Sequence, residues 1–128
     1  MQAASEQIKM NWNLQCHDAA EFLSGLSPES SKLILTDVPY GVTTEPFDVR
    51  LTYTEIKKVA REMKRVLTPD GGVFLFLNYK QLSDWERGLY SAGFRTFRTG
   101  VWLKSNGLNN AVPYPSNSIE HWIYTTRN

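Results

Sequence analysis

Residues 36–41, TDVPYG, place a carboxylate, a proline, an aromatic ring and a glycine within a few positions of one another. They follow the apolar run at residues 33–35, which predicts a buried strand that the proline and glycine bring to an end. Ligands of open α/β sheets bind at the carboxyl ends of the strands, which is where Asp37 and Tyr40 would lie. The alternative is a strand that leaves its sheet through an ordinary turn, because Asp, Pro and Gly are also turn residues.

The sequence contains no motif for three other kinds of site: a metal site, a phosphate-binding loop and a nucleophile elbow. Cys16 and His17 are adjacent and lack the spacing of metal ligands, and one cysteine with two histidines does not make a structural zinc site, so no metal is predicted. The chain has no Gly-x-x-x-x-Gly-Lys phosphate loop. Ser105 and Ser116 lie outside any nucleophile-elbow context. Cys16 is interpreted as a small buried hydrophobe at a strand end.

The composition is that of one globular domain, with 128 residues of which 41% are hydrophobic and 21% charged. A formal net charge of +1 lacks the basic excess of a stand-alone nucleic-acid binder. The basic cluster at residues 57–65 is interpreted as the solvated face of a helix. The sequence contains no apolar run long enough to span a membrane and no signal-peptide pattern near its start, so an intracellular, cytoplasmic protein is expected. A single cysteine fits a reducing compartment.

The hydrophobic pattern predicts the elements that must position the TDVPYG residues. Asp18 is a plausible N-cap of the first helix, and Thr52 with Glu55 forms a capping box at the start of the second. Continuous apolar runs predict strands buried on both faces, and the aromatic residues near the C-terminus are interpreted as core or sheet-face residues. The predicted order is strand 12–16, a helix from 19, strand 32–37, a helix from 53, strand 73–79, a helix from 82, and strands within 94–105 and at 119–126. This alternation indicates an α/β fold with a mostly parallel sheet, helices on both faces and an antiparallel strand near the C-terminus.

Several blocks of the sequence resemble, in order and spacing, the DNA amino-methyltransferases. That family transfers a methyl group from S-adenosylmethionine to the exocyclic amine of adenine or cytosine, an activity of restriction–modification systems. The likeness is to the permuted group, in which the catalytic Asp-Pro-Pro-Tyr motif precedes the cofactor glycine loop. It covers residues 12–127 and implies a Rossmann-like methyltransferase sheet. The matching blocks are CHDAAEFLSGLSPESSKLILTDVPYG, VAREMKRVLTPDGGVFLFLN, VWLKSNG and IEHWIYTTR.

The resemblance implies a catalytic role for each residue of the motif. Asp37 and the carbonyl of Val38 would accept hydrogen bonds from the target amine and direct its lone pair at the cofactor's methyl group, which is chiefly positioning chemistry. Pro39 would make the turn rigid, and Tyr40 would stack on a base flipped out of the DNA helix. Asp18 would contact the adenosine end of S-adenosylmethionine, and Asp37 would border the same cofactor site. The alternatives are that Asp18 is only an N-cap and that Tyr40 is only a turn aromatic.

The sequence departs from the family pattern at two points. The motif has two prolines, and Val38 stands in place of the first, so the fixed φ of proline is lost there. The aromatic-x-Gly-x-Gly loop of the family is also missing, since the glycine pair at residues 71–72 precedes its strand instead of following it. In the permuted group that loop and a target-recognition region would come after these residues. The sheet is therefore expected to be incomplete.

Three explanations fit these departures: a second chain or homo-oligomer completes the sheet, the chain is a fragment, or it is a non-catalytic relative that binds a partner chain or nucleic acid. The expected arrangement is a flexible tail at residues 1–11 and a partial catalytic domain at 12–128. The expected substrate is DNA, with adenine preferred over cytosine and RNA left open as an alternative.

Overall fold

The computed structural model describes residues 11–104 and 119–128. These residues form three α-helices and four strands, and a short 3-10 turn, Tyr79–Gln81, leads into the last helix. None of the described helices is long and apolar enough to cross a membrane. In chain order the elements are α1 Ala19–Ser24, β1 Ser31–Asp37, α2 Tyr53–Val66, β2 Leu67–Leu77, α3 Leu82–Ser91, β3 Phe97–Leu103 and β4 Ile119–Thr126.

The four strands form one open sheet in the order β1-β2-β4-β3. β1 pairs with β2 in parallel, whereas β4 runs antiparallel to both β2 and β3. Three strands therefore point one way and the C-terminal strand points the other, as the sequence predicts. Asp37, the last residue of β1, pairs with Phe76 near the carboxyl end of β2. The TDVPYG residues thus leave the sheet at the edge where ligands bind in open α/β folds.

The helix boundaries follow the predicted caps. At the start of α1, Oδ1 of Asp18 accepts hydrogen bonds from the amides of Ala20 and Glu21 at 2.9 and 3.2 Å. At the start of α2, the Thr52 amide donates to Glu55 Oε2 at 2.7 Å, and the Glu55 amide donates to Thr52 Oγ1 at 3.3 Å. Each arrangement satisfies amides that have no partner inside their helix, which fixes where the helix begins.

All three helices pack on one face of the sheet. Val73, Leu75 and Leu77 of β2 are fully buried and belong to the same core cluster as the buried side chains of α1, α2 and α3. Phe74 and Phe76, between them, point to the opposite face because side chains alternate along a strand. The sequence predicts helices on both faces, but in the described part of the chain no helix covers this second face.

The second face carries a cluster of aromatic side chains. The Phe74 ring stacks on Trp122 of β4, with centroids 5.2 Å apart, and Phe76 meets Trp102 of β3 edge-on at 6.3 Å. On β1, the edge strand, Leu33 and Leu35 are 56% and 65% exposed. The prediction that β1 is buried on both faces is therefore wrong for the residues described, because nothing among them covers this face.

Two further predictions are corrected by the structure. Residues 12–16 form no strand, and Cys16 is exposed rather than buried, because this segment pairs with no strand of the described sheet. β2 begins at Leu67 instead of residue 73, since residues 68–72 form an irregular first part of the strand, with Ser31 opposite Leu67 and Leu33 opposite Gly72. Residues 1–10 of the expected tail lie outside the described residues.

Candidate active site

The residues that follow β1 line a cavity of about 360 Å³ at the carboxyl end of the sheet. Asp37, Val38, Pro39 and Tyr40 all border it, together with the loop that continues to Asp48. The four residues of the predicted catalytic motif therefore share one cavity. Asp37 is exposed and alternates with Leu33 and Leu35, so its carboxylate lies on the uncovered face of the sheet.

Tyr40 borders this cavity and is half-buried. Burial raises the pKa of the Tyr40 hydroxyl well above its usual value, and hydrogen bonding to the Asp37 and Glu120 carboxylates, with their negative charge, raises it further. Glu120, on β4, forms an ion pair with Lys104, whose Nζ lies 2.6 Å from Glu120 Oε1. The Tyr40 hydroxyl therefore stays protonated at neutral pH.

Glu120 and Lys104 have no role that the sequence predicts, although both lie in blocks that carry the family resemblance. Their partnership depends on the pairing of β3 with β4, which brings the ends of two separate blocks together. A sequence signal for both residues does exist. Lys104 is the single charged residue of VWLKSNG, and Glu120 is the single charged residue in the apolar start of IEHWIYTTR.

Asp48 holds the backbone of the loop after the motif. Its Oδ1 accepts hydrogen bonds from the amides of Tyr40 and Gly41 at 2.8 and 2.9 Å. Its Oδ2 accepts from the amides of Val42 and Thr43 at 3.0 and 2.7 Å. The hydrogen bonds from Gly41, and then those from Thr43 and Val42, hold the pKa of Asp48 well below its usual range. One ionised carboxylate thus accepts hydrogen bonds from four consecutive backbone amides.

Gln81 holds the motif from the opposite side. Its side chain is buried, its Nε2 donates to the Pro39 carbonyl at 2.7 Å, and its Oε1 accepts from the Asn78 amide at 3.1 Å. The Val38 amide donates to the carbonyl of Phe76 at 3.1 Å, which extends the β1–β2 ladder by one residue. Val38 therefore makes a bond that proline, lacking an N–H, could not make.

A second cavity of about 520 Å³ adjoins the first. Asp18 lines it with apolar side chains that include Val49 and Leu51, while Pro39 and Phe47 line both cavities. The structure therefore separates Asp18 from Asp37 and places them in neighbouring cavities. Asp18 is the N-cap of α1, which is one of the two roles that the sequence allows. Oδ1 accepts both capping hydrogen bonds, so Oδ2 takes no part in the cap. Among residues 11–104 and 119–128, no three His, Cys, Asp or Glu side chains form a group that could hold a metal ion.

The fold is shared with several solved methyltransferase structures. TTHA0409 from Thermus thermophilus, described as a DNA modification methylase and solved with S-adenosyl-L-methionine, superposes with a TM-score of 0.65 at 20% identity over 85% of this chain and 50% of that one. The complex of M1.HpyAVI with its ligand SAM gives 0.58 at 20% identity over 86% and 50%. The PvuII DNA methyltransferase, cytosine-N4-specific, gives 0.66 at 16% identity over 88% and 48%.

These comparisons show the fold. The chain has the α/β architecture of DNA methyltransferases, in keeping with the resemblance seen in the sequence, and it spans about half the length of the solved structures that it matches. No family model matches the chain, and no curated protein matches it.

Proposed function

We propose that this chain is the catalytic-motif part of an S-adenosylmethionine-dependent DNA amino-methyltransferase. The observation that carries the proposal is the cavity at the end of β1, where Asp37, Val38, Pro39 and Tyr40 meet in a fold shared with S-adenosyl-L-methionine-bound DNA methylases. A pure scaffold has no need of an exposed carboxylate beside a half-buried tyrosine at this edge of the sheet. The substrate we propose is the exocyclic amine of a DNA base, with adenine preferred over cytosine.

Asp37 and the Val38 carbonyl would act as the acceptor pair for the target amine. Two acceptors orient both N–H bonds of the amine, so that its lone pair points out of the base plane at the methyl group. Holding that geometry, with no covalent enzyme intermediate, is the source of the rate enhancement. The exposed position of Asp37 leaves its carboxylate accessible to an incoming base.

Tyr40 would form the wall on which the flipped base stacks. Enzymes that modify a base take it out of the duplex and hold it against aromatic side chains. Tyr40 and Asp37 line the same cavity, which supports a position of the ring beside the proposed acceptor carboxylate.

The second cavity fits the adenosine end of the cofactor. Apolar side chains such as Val49 and Leu51 suit the adenine ring, and the Asp18 carboxylate, with one oxygen outside its capping bonds, suits the ribose hydroxyls. Its volume of about 520 Å³ falls in the range of small-molecule sites. S-adenosylmethionine would supply an electrophilic methyl group on a sulfonium. Pro39 and Phe47, which border both cavities, would separate the two ligands.

We further propose that the exposed edge and face of the sheet are completed by more polypeptide, from the same chain, a second chain or another copy. The exposed Leu33 and Leu35 on the edge strand and the uncovered aromatic cluster support this. A non-catalytic subunit that binds a partner chain or nucleic acid is the second candidate, and the replacement of the motif's first proline by Val38 favours it. RNA is the alternative substrate.

The experiment that tests the proposal measures methyl transfer to DNA with labelled S-adenosylmethionine, using the full polypeptide that contains these residues. Asp37→Asn should lower kcat about 100-fold, since misplacing the reacting groups costs that much. Asp70→Asn is the matched control, because Asp70 is exposed at the opposite end of β2. Calorimetric titration of the 128-residue chain with S-adenosylmethionine tells whether it binds cofactor unaided. Transfer by Asp37→Asn at the wild-type rate would overturn the catalytic assignment.

A further inference from the structure

We infer that Asp48 is a positioning residue, whose carboxylate fixes the backbone of residues 40–43 and so holds Tyr40 beside Asp37. The inference deepens the proposed function, and only its consequence for methyl transfer rests on that function. The four hydrogen bonds from this segment to Asp48 are all between 2.7 and 3.0 Å. Asp48 touches neither the target amine nor the cofactor in the proposed arrangement, so it would act through Tyr40.

A carboxylate is suited to this position because of the number of bonds that it can accept. An ionised Asp has two oxygens with about four acceptor sites, which matches four converging amides. An Asn has one acceptor oxygen, and its NH₂ group would face amides that are themselves donors. The segment lies outside every helix and strand, so these bonds replace the secondary-structure bonds that its amides lack.

The loop brings Asp48 to this position through its own turn. The Asp48 amide donates to the Glu45 carbonyl at 3.0 Å, and the Glu45 amide donates to Thr43 Oγ1 at 3.3 Å. Gly41 has φ +66°, a conformation that side-chain-bearing residues rarely adopt, so the chain reverses there without strain. The residue beside Asp48 is Phe47, which is 78% exposed and borders both cavities.

The electrostatics of the site agree with an anchor that remains charged. The amides of Gly41, Thr43 and Val42 hold the pKa of Asp48 well below its usual range, so its carboxylate is ionised at neutral pH. The other acidic groups that border the same cavity are Asp37 and Glu45. Without the bonds to Asp48, the four amides would turn toward water and Tyr40 would no longer be held beside Asp37.

The first test uses the 128-residue chain labelled with ¹⁵N and with ¹³Cζ-tyrosine. In Asp48→Asn and Asp48→Ala, the amides of residues 40–43 should exchange with solvent at least about tenfold faster, since their hydrogen bonds are lost. The Tyr40 hydroxyl should titrate closer to an ordinary tyrosine, because it has left Asp37 and Glu120. Amides of the buried part of β2 should keep their protection, which shows that the fold is intact.

Asp70→Asn is the matched control for this test. Asp70 also has a pKa lowered by local hydrogen bonds, chiefly from Thr68, but it lies at the other end of the sheet. It should leave both the exchange of residues 40–43 and the Tyr40 titration unchanged. Wild-type exchange of residues 40–43 in Asp48→Asn would overturn the inference, and so would a wild-type titration of Tyr40.

The second test measures methyl transfer to DNA by the full polypeptide. Asp48→Asn should lower kcat about tenfold with little change in KM for S-adenosylmethionine. The reason is that the Tyr40 ring, on which the base would stack, is misplaced, while the cofactor cavity is not. An unchanged kcat together with an altered Tyr40 titration would refute the positioning role. If the wild-type protein transfers no methyl group to any DNA, the proposed function fails, and the exchange and titration results alone decide whether Asp48 holds Tyr40.

Discussion

Replacing Gln81 by leucine tests whether the proposed catalytic motif is held from the sheet side. Gln81 is 1% exposed, and its amide group joins the Pro39 carbonyl to the Asn78 amide. Leucine has a similar size but offers neither a donor nor an acceptor, so both backbone groups lose their partner. Each stranded buried group costs about 1–3 kcal/mol. Pro39 and Asn78 are only partly buried and water can reach them, so the lower end applies to each.

We therefore expect Gln81→Leu to lower the free energy of unfolding by about 2 kcal/mol. At about 4 °C per kcal/mol for a domain of this size, Tm should fall by roughly 8 °C. Urea unfolding followed by tryptophan fluorescence gives the free energy, and a thermal scan gives Tm. Hydrogen exchange at residues 40–43 should stay as in wild type, since Asp48 holds that segment from the other side.

Gln15→Leu is the matched control, because it makes the same substitution at an exposed position before α1. It should change the free energy of unfolding by less than about 0.5 kcal/mol. If Gln81→Leu is as stable as wild type, the two hydrogen bonds contribute nothing net. The account of a motif held between Gln81 and Asp48 would then be wrong on the Gln81 side.

Two further substitutions test other features of the structure. Val38→Pro removes the amide that donates to the Phe76 carbonyl at 3.1 Å, so urea unfolding should show a loss of about 1 kcal/mol in the free energy of unfolding. Methyl transfer should be unchanged or higher, because proline fixes φ at this position. A large fall in methyl transfer would mean that the pocket is not shaped as in the family. Gly100→Ala would put a Cβ into the Trp122 indole on the uncovered face and should lower the free energy of unfolding by about 1–3 kcal/mol. Gly25→Ala is the control, because its Cβ would lie 3.5 Å from its nearest neighbour, and it should change the free energy of unfolding little. Equal stability of the two glycine variants would contradict the close approach of β3 and β4 at Trp122.

The helices were predictable because their signals are local. Asp18 and the Thr52–Glu55 capping box mark where α1 and α2 begin, and the apolar periodicity of α2 identifies its buried face. The predicted strand at 119–126 matches β4. Local signals fail where the outcome depends on distant neighbours. A run such as LIL predicts a strand equally well whether one or both of its faces are covered, so the exposure of β1 could not be derived from it.

The site was predictable only in part, for the same reason. The end of an apolar strand indicates where Asp37 and Tyr40 should lie, because the rule for ligand sites depends on strand direction. Gln81 reaches Pro39 across 42 positions of sequence, and Glu120 reaches Tyr40 from a different strand. Asp48 lies closer, but nothing in FDVR tells that its carboxylate turns back to four amides. Such contacts follow from tertiary geometry that a pattern of residue types does not contain.

The exposure of β1 and the position of Asp37 are two aspects of one arrangement. Leu33, Leu35 and Asp37 alternate along β1 and so share the face that no described helix covers. A polypeptide layer that buries the two leucines would gain about 2 kcal/mol from their exposed area and would at the same time wall in the Asp37 carboxylate. If Asp37 has the proposed role, its enclosure would exclude water and strengthen its hydrogen bond to the target amine. A layer that completed the sheet would therefore also close the proposed catalytic site, and this would link the stability of such an assembly to its proposed activity.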